Sequence, residues 1–384
     1  GLRPPPPPLN PAVLPRHLYL HVPFCARRCT YCDFAIAVRR VVPVDEYLGA
    51  LQQELALRYP PTATPWELDT LYLGGGTPSR LGGEGVARVV ELVRSRASLA
   101  PGAEVTVEAN PEDVLPGVVA RWREAGVNRV SLGAQTFDPA VLDWMHRVHA
   151  ADRIGDAVAT MRAEGIQDFS LDLIFALPTQ LSRAWEADVR QALALEPTHL
   201  SLYGLTVEPH TPLGRQQARG EVTEAPEERY EAEFLRANAL LTGAGFEHYE
   251  VSNFARPGHR ARHNSSYWRG VEYAGVGPSA HEYDGRARRW NVAPYVDWVG
   301  RLAAGRDPMD GSETLSPENR VAETVYLGLR TTDGLRLTPG EHAVVAPWVA
   351  AGWGVIDQDV LRLTPLGWLR LDALAAALTS YRSC

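Results

Sequence analysis

Three of the four cysteines fall within eight residues, as Cys25-Ala-Arg-Arg-Cys29-Thr-Tyr-Cys32, directly after the apolar run His17-Leu-Tyr-Leu-His-Val22. Thiolates spaced C-x3-C-x2-C suit an iron–sulfur cluster. A four-iron cluster takes four ligands, so three cysteines leave one iron open to a small molecule, as a catalytic metal site keeps one position free. Zinc with His21 as fourth ligand is the competing reading, although the second C-x2-C or C…H pair of zinc spacings is absent. Disulfides do not suit three clustered thiols with no secretory signal before them. Cys384, the last residue, is assigned no role.

Those thiols must be carried by a scaffold, and short β-rich runs alternate with amphipathic helical stretches along the body. Strands are predicted at Leu18–Val22, Thr70–Leu73, Glu104–Ala109, Arg129–Gly133, Phe169–Phe175 and His199–Leu205. Helices are predicted near Asp45–Arg58, Glu84–Arg96, Pro116–Ala125, Asp152–Glu164 and Ser182–Leu195. Six strands joined through helices imply an α/β fold with parallel pairing and right-handed crossovers. Periodicity leaves a doubly wound sheet and a barrel of β/α units both open. Either one gathers its active groups at the carboxyl ends of strands.

The polar motifs fall at those ends. The cysteine loop follows the first strand, Gly74-Gly-Gly-Thr-Pro78 the second, Glu108-Ala-Asn-Pro111 ends the third, Gly133-Ala-Gln135 ends the fourth, and Asp172 lies within the fifth. The triple glycine lets backbone amides approach a ligand and accept a carboxylate, or it is only a tight turn. It is neither a P-loop nor G-x-G-x-x-G. Glu108 and Asp172 could equally be ordinary strand-end carboxylates, and Arg147 could cap the helix beginning near Pro139. Arg27 and Arg28 could steady an anionic cluster or simply be solvated.

Taken together, these motifs resemble those of the radical S-adenosylmethionine proteins, over roughly Leu18 to Leu378. The resemblance is to the group that holds oxygen-independent coproporphyrinogen III oxidase and the HemW-type heme chaperones. It implies a partial (β/α)6 barrel with a small C-terminal α+β domain, and a [4Fe-4S] cluster on Cys25, Cys29 and Cys32. It also implies S-adenosylmethionine, held on the open iron through its amino and carboxylate groups. Tyr19, six residues before the first cluster cysteine, then stands near the sulfonium, and Gly75, Gly76 and Thr77 meet the amino group. Glu108 binds the ribose, a role that suits a carboxylate accepting from two hydroxyls. Gln135, Arg147 and Asp172 match positions lining a second cofactor site in the oxidase, and Tyr31 of the cysteine motif joins the cofactor-binding set.

Two markers bear on the branch. The oxidase loop continues as C-x-C, whereas here Cys32-Asp33-Phe34 resembles the HemW-type variant. His263-Asn-Ser-Ser-Tyr-Trp268 is similar to the H-N-x-x-Y-W motif associated with heme in that branch. The His263 imidazole can ligate heme iron, with Tyr267 and Trp268 as flat apolar faces. Otherwise His263 and Asn264 tie a loop to the barrel. His248, His259 and His281 lie nearby in sequence. The resemblance implies a chaperone that binds heme, the cluster and S-adenosylmethionine and delivers heme to acceptor hemoproteins such as respiratory enzymes, with no catalytic residue assigned. The alternative is radical decarboxylation of coproporphyrinogen III propionates.

Composition narrows the class further. The chain has 384 residues, 45% apolar, with net charge −8; all 38 positive charges are arginine. Acidic balance disfavours nucleic acid as a partner, and no apolar run approaches the ~20 residues that span a bilayer. A cytoplasmic protein is expected, with peripheral membrane contact left open. Residues 1–15 read as a disordered proline-rich leader and 16–305 as the barrel with its extension. Residues 306–384 read as a separate domain. There a helix over Pro317–Leu329, a helical stretch near Pro339, a hairpin within Gly354–Leu363 and a helix over Pro365–Leu378 suggest a winged-helix-like module. Its 7 arginines against 10 acids, a net of −3, disfavour DNA and suit a lid or a docking surface.

Overall fold

The computed structural model describes residues 14–61 and 65–383, so most of the leader and Cys384 lie outside the described residues. All six predicted strands form, the first five with longer bounds and the last one residue shorter: His17–Val22, Glu67–Gly75, Ser98–Ala109, Arg129–Gln135, Asp168–Phe175 and His199–Gly204. Between them run the helices Val44–Arg58, Gly82–Arg94, Pro116–Ala125, Asp152–Ala163 and Trp185–Ala194. This is the six-fold β/α alternation of an α/β fold. Strands flanked by crossover helices read as near-continuous apolar runs, and Leu18, Leu20, Val22, Leu71, Leu73, Val105 and Val107 are fully or almost fully buried. Helix ends follow local rules: Pro116 opens its helix, and Gly126 at φ 108° closes it in the left-handed region.

The chain divides into two compact units. The first runs to Ala134 and takes up Leu142–Phe169 and Val271–Thr314. Its strands pair in parallel in the order Ala274–Val276, His17–Val22, Glu67–Gly75, Ser98–Ala109, Arg129–Gln135. A second, antiparallel sheet of His281–Tyr283, Ala287–Asn291 and Met309–Thr314 belongs to the same unit. That last pairing keeps Met309–Thr314 in the first unit, which ends at Thr314.

The second unit comprises Gln135–Val141, Ser170–Gly270 and Leu315–Cys384. Asp168–Phe175 pairs in parallel with His199–Gly204, which pairs antiparallel with Asn253–Ala255, and that in turn with Glu247–Glu250. The C-terminal segment holds the helices Pro317–Arg330 and Glu341–Ala350 and the predicted hairpin, Gly354–Asp357 with Val360–Leu363; Leu335–Arg336 adds a third strand. The helix expected over Pro365–Leu378 is two, Pro365–Trp368 and Leu371–Arg382. Arg370 between them has left helical geometry at φ −118°. In the first piece Gly367 packs where a Cβ would collide with the Trp353 carbonyl.

Candidate functional site

The first strand delivers its chain into the cysteine loop. Phe24–Cys25 pairs in parallel with Ala37–Val38, with Ala37 N donating to Pro23 O at 2.8 Å and Arg39 N to Cys25 O at 3.0 Å. The loop between is thus closed at its base. A turn from Cys32 N to Cys29 O brings the last two cysteines together, at 3.3 Å. Three bonds then clamp the loop to residues 144–147: Thr30 N to Met145 O, Thr30 Oγ1 to Trp144 O, and Arg27 Nη2 to Arg147 O at 2.8 Å. Arg28 donates to the Cys32 carbonyl at 3.3 Å. Both loop arginines thus tie down backbone carbonyls at the loop.

Cys25 is buried, and Cys29 and Cys32 are half-buried. Burial pushes the Cys25 thiol up and raises Cys32 to about 11, so loading with iron has to displace protons. Donors point at two of the sulfurs. Thr77 Oγ1 lies 3.4 Å from Cys25 Sγ, and Arg147 Nη1 donates to Cys29 Sγ at 3.6 Å. Soft thiolates select iron–sulfur clusters, zinc or Cu(I). His21 is not available as a fourth ligand. Its Nε2 lies 2.9 Å from the Ala35 carbonyl, to which it donates, leaving Nδ1 to accept from Tyr19 Oη at 3.0 Å. Burial holds its pKa down to about 4, so the ring is neutral. Among the described residues no three His, Cys, Asp or Glu side chains converge on a single ion. The donor set thus fits a cluster, whose irons stand apart, better than one zinc.

The glycine motif packs under this loop. Gly76 N donates to Val22 O at 2.8 Å, and a Cβ on Gly76 would stand 2.5 Å from Pro23 O and 3.1 Å from Cys25 Sγ. Gly75 sits at φ +119°, with room for no Cβ: one would lie 2.5 Å from the His21 ring. Both positions demand glycine, one for close approach and one for its backbone angle as well. Glu108 belongs to the same corner. Its Oε2 accepts from Gly75 N at 3.0 Å and its Oε1 from Tyr72 Oη at 2.7 Å. Tyr19 stacks on Tyr72 with centroids 6.1 Å apart. So Tyr19, Tyr31, the three cysteines, Gly75, Gly76, Thr77, Glu108 and Arg147 all fall in the first unit, within one chain of contacts. Tyr72, Asn110 and His21 complete it, and sequence reasoning did not single out the first two; Tyr72 is an alternating strand residue whose partner lies 36 positions on.

Arg147 does not cap the helix Pro139–Trp144. Its guanidinium turns to Cys29, and Nη2 donates to Asn110 Oδ1 at 2.7 Å and to Gly133 O at 2.9 Å. The thiol of Cys29 and the Tyr31 phenol favour its charged form.

In the second unit, Gln135 ends its strand at φ +67°, a left-handed angle that costs a non-glycine residue on the order of 1 kcal/mol or more. Asp172 accepts from Ser170 Oγ at 3.1 Å. His263 lies on the helix Arg262–Trp268 with 0% of its surface exposed, and its Nε2 is 2.7 Å from Tyr267 Oη. Arg330, paired with Glu250 at 3.0 Å, lies 4.1 Å over the Trp268 ring. Trp268 Nε1 is buried without a hydrogen-bond partner among the described residues. His248 is a core residue stacked on Phe254 at 3.8 Å, and burial drops its pKa to about 3.

The Radical SAM superfamily pattern matches residues 19–192. The chain is 40% identical to the heme chaperone HemW of Mycobacterium tuberculosis over 370 residues, 95% of each chain. It is 35% identical to the heme chaperone HemW of Bacillus subtilis over 318 residues, covering 83% of this chain and 84% of that one. Among solved structures, the coproporphyrinogen III oxidase HemN of Escherichia coli, a radical SAM enzyme, superposes with a TM-score of 0.80. That match covers 96% of this chain and 91% of the other at 23% identity, a likeness of fold.

Proposed function

The chain belongs to the radical SAM superfamily and, within it, to the HemW heme-chaperone family, and on that premise we propose that it is a cytoplasmic protein that carries a [4Fe-4S] cluster with S-adenosylmethionine, binds heme, and passes heme to acceptor hemoproteins such as respiratory enzymes. The observation that carries this reading is the 40% identity maintained over 95% of both chains. No helix among the described residues is long and apolar enough to cross a membrane.

Cys25, Cys29 and Cys32 are the cluster's protein ligands in this reading. A cluster held there supplies one-electron chemistry and one iron open to the amino and carboxylate groups of S-adenosylmethionine. The chain's own groups do the rest. Glycines 75 and 76 keep side-chain atoms away from the cofactor's approach, and Thr77, Tyr19 and Tyr31 line it. Glu108 offers its carboxylate to the ribose while the Gly75 amide and Tyr72 hold it in place. Gln135 and Asp172, both of the second unit, are proposed for a second cofactor position, and Arg147 of the first unit for the surroundings of the cluster.

Replacing Glu108 with Gln should cost about 1–3 kcal/mol of S-adenosylmethionine affinity, because a charged acceptor is lost. Gly75→Ala should weaken binding more, since the new methyl meets both a forbidden angle and the His21 ring. Anaerobic calorimetry on reconstituted protein measures both. Parent-like affinity in the two variants would put the cofactor elsewhere.

Heme ligation by His263 has a structural condition: Nε2 must first leave Tyr267, and the buried ring must open to solvent. Tyr267→Phe should therefore speed heme association without moving the Soret maximum, and His263→Ala should shift or weaken the Soret band. Stopped-flow absorbance reads both. Two variants with the parent's rate and spectrum would leave His263 a structural residue and remove ligation from the reading. The chaperone reading as a whole is tested by heme titration beside anaerobic turnover of coproporphyrinogen III. Specific heme binding without release of CO2 supports it, and turnover to a vinyl product replaces it with the oxidase.

A further inference from the structure

We propose that Arg147 is a positioning residue that sets the reduction potential of the cluster through the sulfur of Cys29. This rests on the cluster reading above and is independent of heme. The argument begins with how firmly the guanidinium is held. Arg147 follows His146, whose φ of 58° turns the chain out of the preceding helix, and Arg147 N donates back to Leu142 O at 2.9 Å. The carbonyl of Arg147 is held in turn by Arg27 of the cysteine loop at 2.8 Å. One end of the fork is fixed on Asn110 Oδ1 and Gly133 O, which leaves Nη1 aimed at Cys29 Sγ at 3.6 Å. Asn110 is steadied by its own amide, which donates to Ser79 Oγ at 3.2 Å. A charged donor preorganised in this way keeps its direction when the sulfur carries iron.

The three sulfurs are not treated alike. Cys25 faces the neutral hydroxyl of Thr77, and among the described residues Cys29 alone of the three takes a side-chain bond from a full positive charge. Hydrogen bonds and net charge at cluster sulfurs are the levers by which a protein sets cluster potential. Reduction adds one electron to an already anionic thiolate assembly, so a fixed cation at a ligand sulfur favours the reduced form and raises the potential. A charge-assisted bond outweighs a neutral one by roughly twofold. Arg147 should therefore move the potential more than Thr77 does.

The test uses the full-length protein reconstituted anaerobically with iron and sulfide, without heme and without S-adenosylmethionine. EPR-monitored redox titration gives the midpoint of the four-iron signal. Arg147→Met should make the cluster at least tenfold harder to reduce, which for one electron is about 59 mV more negative. Arg147→Lys, retaining the charge without the fork, should recover part of the shift, and Thr77→Val should give a smaller shift of the same sign. If the Met variant does not retain iron, Arg147→Gln carries the same test with the same sign. A four-iron signal with the parent's midpoint in the neutral variants overturns the proposal, and a separate calorimetric titration that finds weakened S-adenosylmethionine affinity in those variants at that unchanged midpoint would return Arg147 to cofactor binding. A parent protein with no four-iron signal would instead remove the cluster reading, and this proposal with it.

Discussion

Replacing any one of Cys25, Cys29 or Cys32 with Ala should abolish the four-iron absorption of the reconstituted protein, while Cys384→Ala leaves iron content at the parent's level. The effect is all-or-none for a physical reason. In the proposed assignment each cysteine would hold a different iron, so losing one would open a second iron, and the described part of the loop offers no further thiolate to replace it. His21, the nearest imidazole in sequence, has both ring nitrogens engaged and is held neutral by burial. Ser in place of Cys29 tests the point more finely: a hard oxygen is a poor match for a soft cluster site, and Arg147 would lose the sulfur it faces. Iron and sulfide analysis with visible absorption reads all five variants. Equal loss of iron in the Cys384 variant, or retention in any of the three Ala variants at Cys25, Cys29 and Cys32, would sink the ligand assignment.

Much of this site was legible in the sequence because its parts are local. The cysteine spacing, the triple glycine and the strand-end acid each lie within a few residues, and apolar runs bounded by turn residues placed all six strands. What escaped was every interaction made across the fold. Nothing near Arg147 in sequence says that it will meet Cys29, 118 positions away; at the end of a helical stretch it reads as a cap. Tyr72 offered only the alternation of a strand residue, yet it supports Glu108. His263 read as a heme ligand or as a tie between loop and barrel, because the motif names residue types and not their burial. In the structure it is enclosed, with Tyr267 four residues on, one turn along the same helix. The one long C-terminal helix became two because helical periodicity does not report a single residue leaving helical geometry, here Arg370 between the two pieces.

The largest loss of stability is expected at a residue the sequence presented as ordinary. Glu54 and Arg58 stand at i and i+4 on a helix, the spacing of a surface pair contributing a few tenths of a kcal/mol. In the structure both are buried, and Glu54, with no exposed surface, accepts from four donors. These are Arg58 Nη1 at 3.1 Å, Gly277 N at 2.8 Å, Asn291 Nδ2 at 2.6 Å and Trp298 Nε1 at 2.9 Å. Arg58 continues the network to Glu282 at 2.8 Å, and Glu282 to Tyr59. Burial pushes the Glu54 carboxyl up, against the pull of Arg58 and its other donors, so the site depends on every partner being present. Glu54→Ala would take from buried Arg58 one of its two carboxylate partners and leave the Gly277 and Trp298 N–H groups without their acceptor, at a cost of about 3–5 kcal/mol. Glu54→Gln keeps the shape but turns an amide donor toward other donors, and should fall between. The exposed pair Arg219–Glu221 is the control: Arg219→Ala should leave the urea midpoint in place. The consequence reaches the cluster, because Gly277 packs directly on the His21 carbonyl, which also accepts from Tyr47 Oη at 2.7 Å. Loosening that contact frees the strand end that leads into the cysteine loop. Glu54→Ala should therefore also lose iron faster to an external chelator, and a variant with the control's midpoint and the parent's iron retention would show that the network carries neither load.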